Sequence, residues 1–533
     1  MNQGEQNFSA FLNNFIPHVA REEKRVNTVW WRLATVGDAG SQEEYVKAMA
    51  DYRLLFTDHA NYDRLVNFQN SGTITNPLLV RQLERLILSF RGNMLPPDLI
   101  QQLATQDAEL EKTFGSFRPK LNGKSVTDNE IAESFRTVND VSMRKQTWES
   151  SKQVGVVMAP LIRKAVKLRN ESAHILGYPN YFEMAYRLDE LNPGTVLSVF
   201  DDLAFNSEQQ WKRLQVEISN KLAKRFDVSP DQLGPWAWAD PFSQHDPLEN
   251  SIILNPLFKG QDVVAAAAMF YESIGMDVGG VISRSDLYER TGKNPHAFCI
   301  HMDRGGDVRV LANVKPQFYW FSTMMHELGH AVYDMFINPD LPWLLRCPAH
   351  TLTTEAMAIM VQKYAQHAQT LKKLFGFGSD ADGLLEELER GYARDQLVFS
   401  RWANVVVRFE KTMYEDPDQD LQAVWWSLVQ KYQGITPPTG RKNASDWAAK
   451  VHIGTAPCYY QNYMLGYLFS AQIDAVLTKM IGDASILGHK VAGDFLRKNL
   501  FAHGSCYRWD RLVTLVTGKP LGSEDWVSTL HSI

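Results

Sequence analysis

The chain has 533 residues, of which 44% are hydrophobic and 22% charged, and its formal net charge is −6. This composition is typical of a globular protein, and the mildly acidic balance gives no reason to expect a nucleic-acid partner. No apolar run reaches the roughly 18 residues that a membrane span needs, and the N-terminus lacks the basic start and apolar stretch of a signal peptide. Cys299, Cys347, Cys458 and Cys506 include no C-x-x-C pair. We therefore expect a soluble monomer of the reducing cytoplasm, without a membrane partner.

Most of the chain carries apolar residues at the i, i+3, i+4 and i+7 spacing of amphipathic helices. In chain order, this pattern predicts helices over residues 42–56, 77–90, 128–152, 195–226, 384–414 and 463–481. Proline and glycine are concentrated between these segments, and no long Gly/Ser/Pro linker divides the chain. The sequence therefore predicts one mainly α-helical domain over residues 1–533, without solenoid repeats.

Two short β-prone segments, residues 296–302 and 307–314, interrupt the helical pattern. They flank Asp303-Arg304-Gly305-Gly306, a sequence that favours a turn. We expect a β-hairpin here. It could be an edge that binds a peptide strand, or it could simply pack against the helices.

The most informative segment, His326-Glu327-Leu328-Gly329-His330, follows the predicted hairpin. Apolar residues surround it at helical spacing, so we expect it to lie on a helix. On a helix, His326 and His330 share one face and can bind one metal ion, while Glu327 faces a water on that ion. This spacing predicts a zinc hydrolase in which Glu327 is the general base.

A catalytic zinc ion needs a third protein ligand. The extended motif with a third histidine six residues after His330 is excluded, because a phenylalanine occupies that position. Glu355 lies 25 residues beyond His330, and a proline-rich segment would end the first helix between them. A second helix, capped by a threonine within 351–354, would return Glu355 to the metal. We therefore expect His326, His330 and Glu355 to bind one Zn²⁺ per chain.

The chain resembles the peptidyl-dipeptidase A family, whose best-known member is angiotensin-converting enzyme. The resemblance runs along nearly the whole chain and is sharpest in four segments. They are the zinc motif with its glutamate, WWSLVQKYQG at 425–434, KVHI at 450–453 with the tyrosine-rich 459–463, and TGKP at 517–520. The resemblance implies an almost wholly helical ellipsoid, with a deep substrate channel between two helical halves, that releases dipeptides from oligopeptides.

The resemblance also implies which residues bind the substrate. His296 and Ala297 match the family's substrate-binding strand, and Asp240 aligns loosely with a glutamine that binds the substrate's terminal carboxylate. Lys450 matches the lysine that binds the same carboxylate. His452 matches the histidine that donates a hydrogen bond to the substrate carbonyl.

Two family tyrosines, one for the carboxylate and one for the oxyanion, lie three residues apart. Tyr460 and Tyr463 keep that interval if one residue is inserted before them. Without the insertion, Tyr459 and Asn462 take these positions. We favour the insertion, because it leaves a phenol where catalysis needs a donor. Tyr463 is then the predicted donor to the oxyanion.

Three departures from the family affect what the resemblance implies. Asp240 would repel a carboxylate, which argues against strict dipeptide release. The carboxylate that orients one zinc-binding histidine is Ile359 here, so another group has to hold that imidazole. The arginines that bind chloride in the family are Val429 and Asn462, so we do not expect chloride as a cofactor.

Three alternatives to a peptidyl-dipeptidase stay open. An oligoendopeptidase similar to thimet oligopeptidase or oligoendopeptidase F shares the zinc motif, the spacing to glutamate and a His-plus-tyrosine segment, and Asp240 favours it. The second is a carboxypeptidase that releases single residues. The third is a non-catalytic peptide-binding protein, against which the presence of Glu327 argues.

Overall fold

Helices account for most of the described chain. The structure, a computed structural model, describes residues 1–248 and 254–532. Its α-helices are, in chain order, α1 (Gln3–Val36), α2 (Ala39–Leu54), α3 (His59–Ser71), α4 (Pro77–Arg91), α5 (Pro97–Ser116), α6 (Asp128–Thr137), α7 (Val141–Ser151), α8 (Val154–Ile175), α9 (Tyr181–Leu188), α10 (Pro193–Asn206), α11 (Glu208–Phe226), α12 (Asn255–Phe258), α13 (Val263–Ser273), α14 (Gly279–Arg284), α15 (Phe318–Met335), α16 (Thr351–Tyr364), α17 (Ala368–Phe375), α18 (Asp382–Glu415), α19 (Leu421–Gln433), α20 (Val451–Thr455), α21 (Tyr460–Ile481), α22 (Lys490–Asn499), α23 (Trp509–Thr517) and α24 (Glu524–Ser528). Two antiparallel hairpins pair β1 (Lys120–Leu121) with β2 (Lys124–Ser125) and β3 (Phe298–His301) with β4 (Val308–Leu311). The prediction of a mainly α protein is confirmed.

Two of the predicted helices are each divided in the structure. Residues 128–152 form α6 and α7, because Asp140 lies between them and accepts a hydrogen bond from the backbone N–H of Met143, as an N-cap does. Residues 195–226 form α10 and α11, which meet at Ser207. Apolar spacing does not report a break at a single capping residue, so the sequence pattern missed both divisions. Among the described residues, no helix combines the length and apolarity that crossing a membrane requires.

The chain divides into two compact units. Unit 1 contains Met1–Met94, Ser251–Glu389 and Leu465–Leu521, and unit 2 contains Leu95–Asn250, Arg390–Met464 and Gly522–Ile533. Each unit is assembled from three separate stretches of chain. The prediction of a single catalytic domain stays a prediction.

Unit 1 is organised around α15. This helix packs against α13, α16 and the β3–β4 hairpin, and Phe321, Met324 and Leu328 are fully buried along it. A helix that is apolar around most of its circumference needs neighbours on several sides. The residues of the predicted metal motif are therefore held in a packed interior.

In unit 2, α7 holds the loop that carries Asp240. Arg144, Trp148 and Lys152 recur every four residues and so share one face, with Lys152 just past the last residue of α7. Arg144 donates hydrogen bonds to the carbonyls of Trp236 and Trp238, and Trp148 Nε1 and Lys152 Nζ both donate to the carbonyl of Pro241. Three side chains of one short segment thus fix the path of residues 236–241.

Candidate active site

Two histidines on α15 and one glutamate on α16 converge in unit 1. The Nε2 atoms of His326 and His330 are 3.2 Å apart, and Oε2 of Glu355 lies 3.8 Å from Nε2 of His326. The potential ligand atoms of the three residues all lie within 4.8 Å of one another. Two imidazole nitrogens and one carboxylate oxygen are the donor set of a catalytic zinc site with an open fourth position. We call these three residues the metal-ligand cluster.

Glycines allow α16 to come close enough for Glu355 to reach the histidines. A Cβ atom on Gly329 would lie 2.8 Å from the Cα of Ala358 on α16. A Cβ atom on Gly466 of α21 would lie 3.0 Å from the Cβ of Glu355 itself. Larger side chains at either position would push α16 away. The glycine inside the metal motif therefore has a packing role that its sequence spacing does not reveal.

The start of α16 differs from the predicted start. Its N-cap is His350, whose Nδ1 accepts a hydrogen bond from the backbone N–H of Leu352 at 3.1 Å. Thr353 donates through its hydroxyl to the carbonyl of His350, and the hydroxyl of Thr354 contacts the ring of His330. The prediction that a threonine is the N-cap residue was wrong, because the His350 imidazole takes that position. Thr353 still forms the other half of a capping box, since its Oγ1 accepts a hydrogen bond from the His350 N–H at 3.3 Å.

Both histidines of the cluster are held through the ring nitrogen that points away from the ligand atoms. His326 Nδ1 lies 3.0 Å from Oε1 of Gln362, and His330 Nδ1 lies 2.7 Å from Oγ1 of Thr354. A hydrogen on Nδ1 leaves the Nε2 lone pair for a metal ion. Ile359 is buried, so it contributes packing only. The sequence reasoning identified neither Gln362 nor Thr354, because the histidine motif does not say which residue of a neighbouring helix faces each ring.

Burial shifts the pKa values of the cluster and of Glu327 toward the uncharged forms. It lowers the pKa of His326 to about 4 and raises the pKa of Glu355 to about 7. The pKa of Glu327 is raised to about 8 by burial and by the charge of Glu355, although a hydrogen bond from the backbone N–H of Cys299 opposes this shift. Neutral imidazoles beside two crowded carboxyl groups form an environment that a divalent cation stabilises. The residues present therefore fit a zinc ion.

The predicted hairpin is present beside α15. Phe298 of β3 pairs with Leu311 of β4, and His296 and Ala297 lie just before β3 rather than within it. The outer edge of β4 is covered, because Asp286 exchanges backbone hydrogen bonds with residues 310 and 312. On the outer edge of β3, the Cys299 N–H donates to Glu327. Because backbone groups alternate along a strand, the N–H and C=O of Cys299 both point to that edge.

In unit 2, Lys450 is buried among aromatic rings and one amide. Its Nζ donates a hydrogen bond to Oε1 of Gln244 at 2.8 Å. It also lies 5.3 Å from the ring centres of Phe242 and Trp402 and 5.5 Å from that of Tyr460. Burial lowers the pKa of Lys450 to about 8, although the negative charge of Asp240 opposes the shift. The sequence reasoning did not identify Gln244, which lies 206 positions away from its partner.

Asp240 organises the turn that presents Gln244. Its carboxylate accepts hydrogen bonds from the backbone N–H groups of Phe242, Gln244 and His245, at 2.8, 2.9 and 3.1 Å. Three such bonds satisfy much of the carboxylate's acceptor capacity and hold the turn in one conformation. The expected repulsion between Asp240 and a substrate carboxylate is therefore weakened, and an amide stands beside the lysine instead.

Two tyrosines and a histidine complete this group. Tyr460 begins α21, and Tyr463 lies one helical turn later with its ring 5.7 Å from that of Tyr460. The His452 ring lies 5.1 Å from the Tyr460 ring, and the Tyr459 ring lies 5.1 Å from the Tyr463 ring. We call Gln244, Lys450, His452, Tyr460 and Tyr463 the lysine–tyrosine cluster.

Comparison with known proteins decides the family. The model of the peptidase M2 family, described as angiotensin-converting enzyme, matches residues 2–215 and 240–525. The chain belongs to the peptidase M2 family. This confirms the resemblance found in the sequence and makes the chain a member of a zinc metallopeptidase family.

Individual relatives are distant and often longer. The angiotensin-converting enzyme of Mesocricetus auratus is 21% identical over 517 residues, which are 89% of this chain and 38% of that protein. That of Theromyzon tessulatum is 21% identical over 487 residues, 83% of this chain and 78% of that protein. That of Mus musculus is 26% identical over 516 residues, 89% of this chain and 38% of that protein. The chain thus spans less than half of two of these relatives.

Val429 and Asn462, which the sequence resemblance aligned with chloride-binding arginines, are both buried. Val429 is 4% exposed and Asn462 is 3% exposed. Val429 lines a cavity of about 20 Å³ together with Lys152 and Gln433, which is room for about one water molecule. Burial lowers the pKa of Lys152 to about 7. The absence of chloride activation stays a prediction. Lys152 carries a positive charge when protonated and lines the same cavity as Val429, so a Lys152 variant can test whether this side chain binds chloride.

Proposed function

We propose that the chain is a zinc-dependent peptidyl-dipeptidase that removes dipeptides from the free C-terminus of oligopeptides. The observation that carries this proposal is the hydrogen bond of 2.8 Å between Lys450 Nζ and Gln244 Oε1, beside the ring of Tyr460. An ammonium group, an amide N–H₂ and a phenol are all donors to a carboxylate. An enzyme that cuts at a fixed distance from a free C-terminus needs such a group of donors.

In unit 1, we assign the zinc ion to His326, His330 and Glu355. When bound there, the ion supplies Lewis acidity to the reaction. Glu327 takes a proton from the attacking water and later gives it to the leaving amine, a role that contributes roughly 10²- to 10⁴-fold to the rate. The Cys299 N–H, which donates to the Glu327 carboxylate, keeps this base in place.

In unit 2, we assign Tyr463 and His452 as donors to the carbonyl oxygen that becomes negative in the transition state. Burial and the charge of Lys450 lower the pKa of His452 to about 4. His452 is then neutral near pH 7, and a neutral imidazole still has one N–H to donate. Tyr460 and Lys450 are assigned to the terminal carboxylate. Tyr459, which packs against Tyr463, is assigned a supporting position.

The outer edge of β3 is the proposed contact for the substrate backbone. Ala297 would exchange backbone hydrogen bonds with an extended peptide, as in strand addition. His296 precedes it, and its backbone N–H donates to the Asn294 side chain at 2.9 Å, which fixes the approach to the strand. The alternative is that this edge only packs against α15.

An oligoendopeptidase remains the second candidate function. Asp240 favoured it in the sequence, because a negative charge opposes the binding of a free C-terminus. The hydrogen bonds of Asp240 within its own turn weaken that argument, and the position of Gln244 supports carboxylate recognition. A single-residue carboxypeptidase would use the same donors and differs only in the product released.

A peptide digest read by mass spectrometry tests the proposal. One oligopeptide is offered with a free C-terminus and, separately, with an amidated C-terminus. We expect dipeptides from the free peptide and a rate at least about tenfold lower for the amidated one, because an uncharged end loses charge-assisted hydrogen bonds. Equal cleavage of both peptides would favour the oligoendopeptidase, and free amino acids would favour the carboxypeptidase.

Two variants connect that digest to the lysine–tyrosine cluster. Gln244→Ala and Lys450→Ala should raise KM for the free peptide and leave the slow cleavage of the amidated peptide nearly unchanged. Gln430→Ala and Lys431→Ala, at exposed positions of α19, are the matched controls and should behave as the unmodified protein. Equal KM values in all four variants would show that Gln244 and Lys450 do not bind the substrate's terminal carboxylate.

A further inference from the structure

The side chain of Gln362 makes hydrogen bonds to two side chains of α15. Its Oε1 lies 3.0 Å from Nδ1 of His326, and its Nε2 donates to Oγ of Ser322 at 3.2 Å. Ser322 and His326 are four residues apart and therefore lie on one face of α15. A single amide on α16 thus spans one helical turn of the metal-binding helix.

The position of Gln362 explains how His326 is held although Ile359 is apolar. Glu355, Ile359 and Gln362 follow each other at spacings of four and three along α16, so all three lie on the same face. The family's orienting carboxylate would stand one turn after Glu355, at Ile359. In this chain the polar group comes from the next turn.

The tautomer of His326 and the orientation of the amide depend on each other. A metal ion at Nε2 requires the imidazole hydrogen on Nδ1, and a hydrogen on Nδ1 needs an acceptor, which only the amide oxygen provides. The amide N–H₂ group must then face Ser322, whose hydroxyl oxygen accepts. If the amide were reversed, its N–H₂ group would face Nδ1 and favour a hydrogen on Nε2, which blocks metal binding. Ser322 therefore stabilises the metal-binding orientation.

We infer that Gln362, held by Ser322, is the positioning residue that orients His326 for the metal ion in place of the family's carboxylate. This inference rests on the proposed function for the identity of the metal. The inference also means that the group hydrogen-bonded to Nδ1 of His326, the Gln362 amide, is uncharged. A neutral acceptor raises the basicity of the imidazole less than a carboxylate does, so His326 is a weaker metal ligand. This chain should therefore bind zinc less tightly than a variant with a carboxylate at position 362.

The test measures zinc binding, independent of peptidase activity. The metal-free protein is titrated with Zn²⁺ against a chelator of known affinity, and Co²⁺ is used in parallel as a spectroscopic probe of ligand geometry. We expect Gln362→Leu to weaken zinc binding about 10- to 100-fold and to change the Co²⁺ spectrum. Gln362→Glu should bind zinc at least as tightly as the unmodified protein. Gln366→Leu, just beyond the end of α16, is the matched control and should bind zinc normally.

Ser322→Ala removes a small buried group and keeps the test informative if Gln362→Leu folds poorly. We expect a several-fold loss of zinc affinity. Because Ser322 acts through Gln362, the double variant should bind zinc no more weakly than Gln362→Leu alone. Unchanged zinc affinity and an unchanged Co²⁺ spectrum in Gln362→Leu would overturn the inference. It would also be overturned if the double variant lost as much zinc-binding free energy as the two single variants together. If the zinc affinities of the variants rank as expected but the unmodified protein cleaves no peptide, only the proposed function is contradicted.

Discussion

The metal-ligand cluster of unit 1 and the lysine–tyrosine cluster of unit 2 are assembled in different ways. His326, His330 and Glu355 lie within one helix–loop–helix, and their supporting residue Gln362 is seven positions after the glutamate. Gln244 of the second cluster lies 206 positions before Lys450. The first cluster is held by the packing of two helix backbones, and the second by hydrogen bonds of a turn and by aromatic rings.

This difference affects what substitutions should do. In unit 1, the ligand positions depend on the distance between α15 and α16, so a methyl group at the helix contact should weaken metal binding. In unit 2, the proposed donors are assigned to two different groups of the substrate, so a single substitution should alter either carboxylate binding or stabilisation of the transition state. Substitutions in either unit can test this contrast, and the largest effects are expected where a group takes part in the reaction itself.

Replacing the proposed base should have the largest effect. Glu327→Gln keeps the shape of the side chain but cannot accept the proton of the attacking water. We expect about one zinc ion per chain in the purified variant and a loss of kcat of roughly 10³-fold or more, within the range of general-base catalysis. Metal analysis and peptide hydrolysis measure the two quantities. Turnover close to that of the unmodified protein would contradict the assignment of the base.

Removing the hydroxyl of Tyr463 tests the unit 2 cluster alone. Tyr463→Phe should lower kcat by roughly 10²-fold with little change in KM, because the lost donor acts on the transition state. The same substitution at Tyr460 should mainly raise KM for peptides with a free C-terminus, and at Tyr459 it should have a small effect. A larger loss of kcat at Tyr460 or Tyr459 would show that the one-residue insertion in the alignment is misplaced.

A methyl group at Gly329 tests the helix contact of unit 1. Gly329→Ala places a carbon 2.8 Å from the Cα of Ala358, so α16 has to move and Glu355 with it. We expect zinc affinity to fall by about tenfold or more and stability by about 1–3 kcal/mol. Gly383→Ala on α18 is the control, because no heavy atom lies within 4 Å of the added carbon. Equal zinc affinity in both variants would remove the packing argument.

The pH dependence of stability tests a support of the unit 2 cluster. Glu410 accepts a hydrogen bond from the Cys458 N–H at 2.8 Å, just before the tyrosines, and burial raises its pKa from 4.5 to about 8. The folded protein binds this proton more tightly than the unfolded chain. The free energy of unfolding should therefore fall as the pH rises from about 4.5 through about 8.

Glu410→Gln keeps the acceptor oxygen and removes the titration. We expect this variant to be more stable than the unmodified protein at pH 8, by about 1 kcal/mol or more, and similar at pH 5. Thermal unfolding across this pH range measures the difference, with the exposed Glu415→Gln as control. The same pH dependence in Glu410→Gln as in the unmodified protein would assign the effect to another group.

Chloride should have the smallest effect. Val429 and Asn462 provide no positive charge at the two family positions, and a buried anion needs one. We expect activity to be nearly equal in sodium chloride and sodium acetate at the same ionic strength. If chloride activates several-fold, Lys152→Met shows whether the cation in the cavity beside Val429 is responsible.

The sequence by itself predicted the mainly helical fold and the three residues that come together as the metal-ligand cluster, whereas the role of Glu327 as base stays a prediction. It could do so because His326 and His330 are four residues apart, about one helical turn, and helical spacing is a local property of the chain. It also determined the interval of three between Tyr460 and Tyr463, which places both rings on one face of α21. The hairpin before the metal motif was equally local, since its turn and its β-prone residues are consecutive.

Only the tertiary structure decided which groups support these residues. Gln362, Thr354 and Gln244 make their contacts across separate elements, and nothing in the local spacing of the histidines or of Lys450 selects them. Asp240 looked repulsive in the sequence because its charge is visible there, whereas the three backbone N–H groups that bind it depend on how the turn folds. A side chain's chemistry is fixed by its residue type, but its partner is fixed by packing, which depends on distances that the linear order of the chain does not contain.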